Sequence, residues 1–328
     1  MNGETLGTIA DARLYEYDST NGNDDVHIIM YHANCLDGFA AAYAAHVNLL
    51  RNGARQGLYV PVSYSTRVDT LLQLQELMQG AHITIVDFSF PLTDVSFMVE
   101  SGAQSVTILD HHAGAADDMA AINDHAIKGG FGGTPVAALF DNLLSGAVIA
   151  WGYFNKYVPT GIPPLFKFIQ DRDLWKFEFG DDTRYVTAAL YSMPLSFELF
   201  EYLLSTPTAV DNLLAEGRAI MRMRAKDIAM HAEEHNLDWG TLDGVKLVAV
   251  NAPCYVASEL GAKLLEMHAD IDAAVIYYVT SDAVQCSLRS REGGVDVAAL
   301  VKPYGGGGHA TAAGVRLTDD NMWDVIPC

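Results

Sequence analysis

The sequence predicts an α/β protein in which a parallel sheet with helices on both faces is joined by a helical linker to a second, smaller α/β domain. Short apolar runs of strand length alternate along the chain with longer stretches of helical length. The strand-like runs lack apolar–polar alternation, which is typical of parallel strands covered on both faces. Hydrophobic residues make up 50% of the 328 positions and charged residues 19%, so the chain can bury a large core.

The alternation begins with a continuous apolar run at 26–31, which a polar turn separates from an Ala-rich helical stretch at 39–50. Further apolar runs of strand length follow, and stretches with helical periodicity lie between them. We therefore predict additional strands at 58–64, 83–86 and 106–109, and additional helices at 70–78, 144–154 and 165–169.

The chain divides into four predicted segments. A polar lead-in occupies 1–25, and the first domain occupies 26–206. An amphipathic stretch within 207–239 has the spacing of a long helix and is interpreted as the linker. Strand signals restart beyond it, so the second domain is predicted over 240–328, with strands at 245–250, 273–279 and 284–288.

The chain is strongly acidic, with 20 Lys and Arg against 41 Asp and Glu and a formal charge of −21. Such a charge repels phosphate backbones at long range, so duplex nucleic acid is not an expected partner. The cysteines are scattered and form no CxxC pair, and no apolar run reaches the roughly 18 residues of a membrane span. We expect a cytoplasmic protein without membrane contact, and leave a homodimer open.

Potential metal ligands follow the predicted strands at the points where the strands end. His32 and Asp37 follow the first strand, Asp87 the third and Asp110-His111-His112 the fourth, while Asp171 follows an apolar helix. Because the carboxyl ends of parallel strands share one sheet edge, these side chains should meet there. Gathered carboxylates and imidazoles repel or desolvate one another unless a cation lies among them, so we predict a divalent metal site.

Mixed His and Asp ligation suits manganese, iron, zinc or cobalt, whereas magnesium prefers oxygen alone. Asp87 is the candidate bridge between two ions about 3.5–4 Å apart, an arrangement used for phosphoryl transfer to water. Taken singly, Asp87 is equally a cap or turn residue, and His32 a hydrogen-bonded core histidine. The Asp110-His111-His112 triplet is the stronger signal, because adjacent imidazoles beside a carboxylate are hard to satisfy in an apolar core.

The second domain carries the run Gly305-Gly306-Gly307-Gly308-His309. Four glycines leave room for a ligand to approach the backbone, whose N–H groups can bind an anion, and His309 would project into the same place. Arg289, at a predicted strand end, is a candidate phosphate clamp. The alternatives are a flexible loop for the glycines and a surface position for Arg289.

The order of these motifs, spread over 26–317, resembles that of the DHH phosphoesterase superfamily, with Asp110-His111-His112 as the namesake triplet. The segment 305–314 resembles the glycine-rich signature of the DHH-associated C-terminal domain. The resemblance implies a centre of two Mn²⁺ ions, for which Mg²⁺ or Co²⁺ can substitute, with the ligands His32, Asp37, Asp87, His111 and Asp171. It implies that His112 faces the scissile phosphate, that Asp110 orients the imidazoles, and that the far end of the substrate is bound across an interdomain cleft by Arg289, Gly306, Gly307, Gly308 and His309.

The first motif departs from the superfamily pattern, in which further aspartates alternate with other residues. Here Asp37 is the single carboxylate, and Cys35 lies two positions before it. Cys35 is either a thiolate ligand or a small structural residue. Asp173 is a spare carboxylate that we interpret as an ion-pair or capping partner.

The resulting hypothesis is a metal-dependent phosphodiesterase that hydrolyses short oligonucleotides, dinucleotides or other nucleotide-like phosphodiesters by means of a water activated by two metal ions. An exopolyphosphatase or pyrophosphatase is the second interpretation, although such a substrate calls for a dense basic lining and few lysines or arginines lie near the motifs. A third is a non-catalytic nucleotide-binding module, because the first motif is incomplete.

Overall fold

The computed structural model describes residues 4–5, 12–16, 25–54, 56–64, 66–155, 161–318 and 324–326. The chain forms two compact units, Met1–Arg218 and Ala219–Cys328. Both are mixed α/β structures, so the predicted fold class is confirmed. Among the described helices, none combines the length and the apolar character that crossing a bilayer requires.

The first unit is built on a seven-stranded sheet of order β1-β2-β4-β3-β5-β6-β7. Its strands are β1 (Glu4–Thr5), β2 (Arg13–Glu16), β3 (Val26–His32), β4 (Gln56–Val62), β5 (Ala81–Val86), β6 (Ser105–Asp110) and β7 (Val136–Phe140). Its helices are α1 (Leu36–Arg51), α2 (Arg67–Leu74), α3 (Leu92–Glu100), α4 (Ala116–Ile127), α5 (Gly146–Asn155), α6 (Pro164–Asp173), α7 (Asp181–Tyr191) and α8 (Phe197–Ser205). The long helix α9 (Ala209–His231) begins in this unit and ends in the second.

The sheet is parallel from β4 to β7. Continuously apolar strands predict this arrangement, because parallel strands are usually buried on both faces. One face carries a core to which Ile28, Ile83 and Ile108 contribute. Helix α1 packs against α5, and its fully buried alanines, such as Ala40 and Ala44, allow the two helices to approach closely.

Two elements of this sheet differ from the prediction. Strand β2 lies in the predicted polar lead-in and pairs antiparallel with β4. Its Tyr15 is buried and stacks on Phe197, so an aromatic side chain anchors this short strand. Strand β7, at the edge of the sheet, is absent from the prediction although all five of its residues are apolar.

The second unit has a six-stranded sheet of order β12-β13-β11-β10-β9-β8. Its elements are β8 (Leu237–Leu242), β9 (Val245–Asn251), α10 (Ala257–Met267), β10 (Ala273–Val279), β11 (Val284–Ser290), α11 (Val297–Val301), β12 (Gly307–His309) and β13 (Ala312–Leu317). The stretch predicted as a helical linker ends as a helix at His231, and β8 occupies its last residues. An Asp243-Gly244 turn with positive φ at both residues closes the β8–β9 hairpin.

Close packing of α9 on the first unit depends on Gly217. A Cβ atom built there collides with the backbone carbonyl group of Tyr185 in α7. Gly152 in α5 provides a contrast, because a Cβ atom there meets nothing within 4 Å.

We expect Gly217→Ala to lower the free energy of unfolding by about 1–3 kcal/mol, because the helices must separate. The matched change Gly152→Ala should raise it by about 0.5–1 kcal/mol, since alanine costs less backbone entropy than glycine in a helix. Urea denaturation followed by circular dichroism measures both. Equal effects of the two substitutions would contradict this account of α9 packing.

Candidate metal centre

The Nε2 atom of His111 lies among three carboxylates contributed by different parts of the first unit. It is 3.0 Å from Asp87 Oδ1, 3.5 Å from Asp173 Oδ2 and 3.9 Å from Asp37 Oδ2. Asp87 follows β5, His111 follows β6, Asp37 lies in the first turn of α1, and Asp173 ends α6. Chain segments far apart in the sequence therefore meet at the carboxyl edge of the parallel sheet, as the strand-end motifs predict.

Asp87 is shared with a second group of potential ligands. His32 Nδ1 lies 3.6 Å from Asp87 Oδ2. Ligand atoms of His32, Cys35 and Asp87 lie within 4.8 Å of one another, as do those of Asp37, His111 and Asp173. Asp87 adopts a positive φ of 54°, a strained conformation for a non-glycine residue that turns the chain sharply at the end of β5.

Asp110 fixes both histidines of the triplet. Its Oδ1 atom accepts hydrogen bonds from the backbone N–H groups of His111 (2.8 Å) and His112 (3.3 Å), and lies 2.8 Å from His112 Nδ1. Burial works to lower the pKa of His112, but the hydrogen bond and charge of Asp110 outweigh it and raise the pKa to about 9. Because Nδ1 is engaged by Asp110, Nε2 is the ring atom of His112 that can meet a substrate.

The pKa values of the carboxyl groups depend on burial, on one another's charges and on the nearby imidazoles. Burial and the charges of Asp87 and Asp173 raise the pKa of Asp37 well above its ordinary value. The pKa of Asp173 is also raised, by burial and then by the charge of Asp87. For Asp87, burial acts to raise the pKa, but the hydrogen bond to His111 and the neighbouring imidazoles of His32 and His112 hold it below its usual range.

These residues fit a divalent cation. Asp37 and Asp110 are at most 1% exposed, and the Oδ2 atom of each is buried without a hydrogen-bond partner among the described residues. Such an atom costs free energy unless a cation satisfies it. The mixed carboxylate and imidazole donors match the preferences of a divalent transition metal.

Cys35 lies among these donors as an only partly exposed side chain. Burial and the charges of Asp87 and Asp37 raise the pKa of its thiol well above the ordinary value. A bound cation deprotonates a thiol that ligates it, so this pKa shift applies to the metal-free protein.

Asp171 was expected to be a metal ligand and Asp173 an ion-pair or capping partner, but the structure places Asp173, and not Asp171, beside His111. Both carboxylate oxygens of Asp171 accept hydrogen bonds, from the backbone N–H groups of Glu178 (2.7 Å) and Phe179 (3.2 Å) and from the Thr183 hydroxyl. Asp171 thus holds the loop after α6 and lies in none of the donor clusters formed by the described residues. Asp173, which the sequence analysis interprets as an ion-pair or capping partner, reaches His111 instead.

Two glycines that were not predicted as site residues, Gly38 and Gly146, complete the centre. A Cβ atom on Gly146, the first residue of α5, would lie 2.6 Å from Asp87 Oδ1. A Cβ atom on Gly38 would lie 2.5 Å from the carbonyl oxygen of His32. Both must lack a side chain for the ligands to converge. Gly38 adjoins Asp37, a signal that could have been noticed, whereas Gly146 is brought to Asp87 only by the packing of α5.

In the second unit, strand register aligns Arg289 with His309. Arg289 of β11 faces Ala312 of β13, and Ala312 faces His309 of β12, so all three lie on one face of the sheet. The guanidinium of Arg289 donates to Ser258 Oγ (3.0 Å) and to the carbonyl oxygen of Leu288 (2.8 Å). Burial lowers the pKa of Arg289 from its ordinary value.

The glycines at 306, 307 and 308 differ in whether close packing requires them. A Cβ atom on Gly306 would lie 2.7 Å from Val301 Cγ2, and one on Gly308 would lie 2.5 Å from the carbonyl oxygen of Ala312. Close packing therefore requires both of these glycines. A Cβ atom on Gly307 meets nothing within 4 Å, so among the three glycines predicted to bind substrate, Gly307 has the open space above it.

The comparisons with known proteins agree with this architecture. Residues 256–326 match the family model of the DHHA1 domain. A curated relative, the uncharacterized protein R106 of Acanthamoeba polyphaga mimivirus, is 26% identical over 309 residues, which cover 90% of this chain and 68% of the relative.

Solved structures with a similar fold include two with descriptive names. RecJ in complex with Mn²⁺ from Thermus thermophilus is 14% identical, with a TM-score of 0.48, over 90% of this chain and 50% of that one. The pGpG-specific phosphodiesterase PggH from Vibrio cholerae is 11% identical, with a TM-score of 0.44, over 90% of this chain and 95% of that one.

The class of protein follows from the fold and the site: an α/β protein with a buried carboxylate and imidazole centre suited to divalent cations. The second unit matches the DHHA1 domain over residues 256–326, and the Asp110-His111-His112 triplet in the first unit is the motif by which the sequence resembles the DHH phosphoesterase superfamily.

Replacing Asp110 should remove the hydrogen bond and the negative charge that raise the pKa of His112. In metal-free protein we expect Asp110→Asn to lower the pKa of His112 from about 9 by about 1–3 units, measured by NMR titration of the imidazole. A raised pKa stabilises the fold fully below the unfolded value of about 6.5, and this contribution is lost as the pH rises through 9. The substitution should remove that decline, and an unchanged His112 titration would contradict the assignment.

The two aspartates near the end of α6 should separate by function. We expect Asp173→Asn to weaken Mn²⁺ binding more than about 100-fold, beyond the loss typical of a residue that only orients a ligand. Asp171→Asn should leave Mn²⁺ affinity within about threefold but lower the free energy of unfolding by about 1–3 kcal/mol, because the loop loses an acceptor. Titration calorimetry and urea denaturation check both, and the reverse pattern would restore Asp171 as the ligand.

Proposed function

We propose that this protein is a manganese-dependent phosphodiesterase that hydrolyses short oligonucleotides or dinucleotides with two bound ions. The observation that carries the proposal is the position of Asp87, whose two carboxylate oxygens face different donors: Oδ1 faces His111 and Oδ2 faces His32. A carboxylate shared in this way is the means by which two-metal hydrolases hold their ions about 3.5–4 Å apart.

The proposed ligands follow from the donor clusters. Asp37, His111 and Asp173 would hold one ion, His32 would hold the other, and Asp87 would contact both. Bound divalent cations supply an activated water and neutralise charge on the phosphate. Mn²⁺ suits this mixture of oxygen and nitrogen donors better than Mg²⁺ does.

The protein groups bind and orient the substrate. With Nδ1 engaged by Asp110, the protonated His112 can donate from Nε2 to a non-bridging phosphate oxygen and stabilise charge that develops there. Asp110 acts through His112 by fixing its ring, so it is a positioning residue. In the second unit, Arg289, His309 and the backbone at Gly307 would provide donors for a phosphate group.

The chain's charge supports a short substrate. With a net charge of −21, a long polyanion would be repelled by most of the surface, while a dinucleotide brings few phosphates. The described cysteines are free thiols, which supports the proposal of a reducing, cytoplasmic location.

The deciding experiment is turnover by purified protein supplied with Mn²⁺, Mg²⁺ or Co²⁺. The substrates are dinucleotides, short RNAs, cyclic dinucleotides, pyrophosphate and polyphosphate. We expect nucleotide release from the short phosphodiesters with Mn²⁺. Asp87→Asn should lower kcat/KM at least about 100-fold, while the exposed control Asp124→Asn should stay within about twofold.

The other outcomes separate the competing functions. Phosphate release from polyphosphate or pyrophosphate alone would replace the phosphodiesterase with a phosphohydrolase of inorganic substrates. Binding of dinucleotides without turnover under any of the metals would indicate a nucleotide-binding module.

A further inference from the structure

A cavity of about 530 Å³ opens in the first unit beside the metal centre. Cys35 lines this cavity, and its sulfur atom lies within 4.8 Å of the potential ligand atoms of His32 and Asp87. Any molecule that fills the cavity is therefore next to the place where the scissile phosphate would bind. None of the functional roles described above uses this space.

Aromatic side chains form much of the wall. Tyr31, Phe39 and Tyr191 all line the cavity, and the rings of Tyr31 and Phe39 meet edge to face with centroids 6.1 Å apart. Tyr191, the last residue of α7, is 56% exposed. An exposed tyrosine ring beside a phosphate-binding centre offers a face on which a planar base can stack.

The polar part of the lining is neutral apart from one cation. Asn34 lines the cavity with a positive φ of 55° and is exposed, so its amide can both donate and accept hydrogen bonds at the edge of a base. Arg13 is the single cation among the described residues that line it. A polyphosphate chain would find too few positive charges here, whereas an aromatic base with one flanking phosphate matches this lining.

The turn at residues 33–35 lines the cavity and directly follows His32, a potential metal ligand at the end of β3. The backbone N–H of Ala33 donates to the carbonyl oxygen of Val62 (2.9 Å), and that of Phe39 donates to the carbonyl oxygen of Cys35 (3.0 Å). These bonds fix residues 33–35 between the end of β3 and the start of α1. The same short turn thus positions His32 for the metal and Asn34 for the cavity.

We propose that this cavity is a nucleoside subsite, which holds the base of the nucleotide that adjoins the scissile phosphate. The inference rests on the proposed phosphodiesterase function and narrows it, because it makes a base next to the cleaved bond part of what the enzyme recognises. Tyr191 is the stacking residue of this subsite, and Asn34 contacts the edge of the base.

The test is equilibrium binding, which does not require turnover. Titration calorimetry in EDTA compares the four nucleoside 5′-monophosphates with ribose 5-phosphate, which carries the same phosphate without a base. We expect at least one nucleotide to bind roughly tenfold or more tightly than ribose 5-phosphate. Tyr191→Ala should abolish most of that difference, and Asn34→Ala should reduce it. The control Tyr202→Ala, a 53% exposed tyrosine on α8 that lines a different cavity, should preserve it.

Kinetics provide the second readout. Tyr191→Ala should raise KM for a dinucleotide about tenfold, and leave hydrolysis of methyl p-nitrophenyl phosphate, a phosphodiester without a base, within about twofold. Folding of each variant is checked by its thermal transition, and Tyr191→Leu replaces Tyr191→Ala if the latter does not fold.

The outcomes distinguish the two proposals. If no nucleotide binds more tightly than ribose 5-phosphate, or if Tyr191→Ala binds nucleotides as well as the wild type does, the subsite is overturned even when dinucleotides are hydrolysed. If bases are discriminated through Tyr191 but no phosphodiester is cleaved, the subsite stands and the phosphodiesterase function fails.

Discussion

Negative charge buried at one edge of a sheet is the constraint on which the first unit depends. Asp37, Asp87 and Asp110 are at most 1% exposed, and Asp173 lies against the same imidazole as two of them. Each such carboxylate costs several kcal/mol to remove from water unless it is paired. In the described structure, the imidazoles of His32, His111 and His112 provide the opposing groups, and the Oδ2 atoms of Asp37 and Asp110 have no hydrogen-bond partner among the described residues. A bound cation would satisfy them and stabilise the folded state by mass action.

The fold imposes this arrangement by holding strands and helices in register around it. Parallel pairing places the ends of β3, β5 and β6 side by side, so their following residues share one edge. Helices α1 and α6 then bring Asp37 and Asp173 from outside the sheet. Gly146 and Gly38 lack side chains where ligands and backbone come too close for a Cβ atom. The positive φ of Asp87 is a further conformational cost of this arrangement, and the packing around Asp87 holds the residue in that conformation.

Substrate choice, in contrast, depends on what surrounds the centre. An acidic chain cannot attract a polyanion by its overall field, so recognition must be local. In the proposals above, Arg289 and His309 would offer such local contacts for a phosphate, and the cavity lined by Tyr191 and Asn34 would offer them for a base.

The amino-acid sequence by itself determined the α/β class, the metal-binding edge and the triplet, because each depends on residues that lie next to one another at a strand end. It did not decide between Asp171 and Asp173. Two positions along a helix rotate a side chain by about 200°, so only the direction in which α6 packs shows which carboxylate reaches His111 and which holds the following loop. Gly146 and the cavity beside Cys35 belong to the tertiary structure for the same reason. They arise where segments distant in the chain meet, and no local pattern records such a meeting.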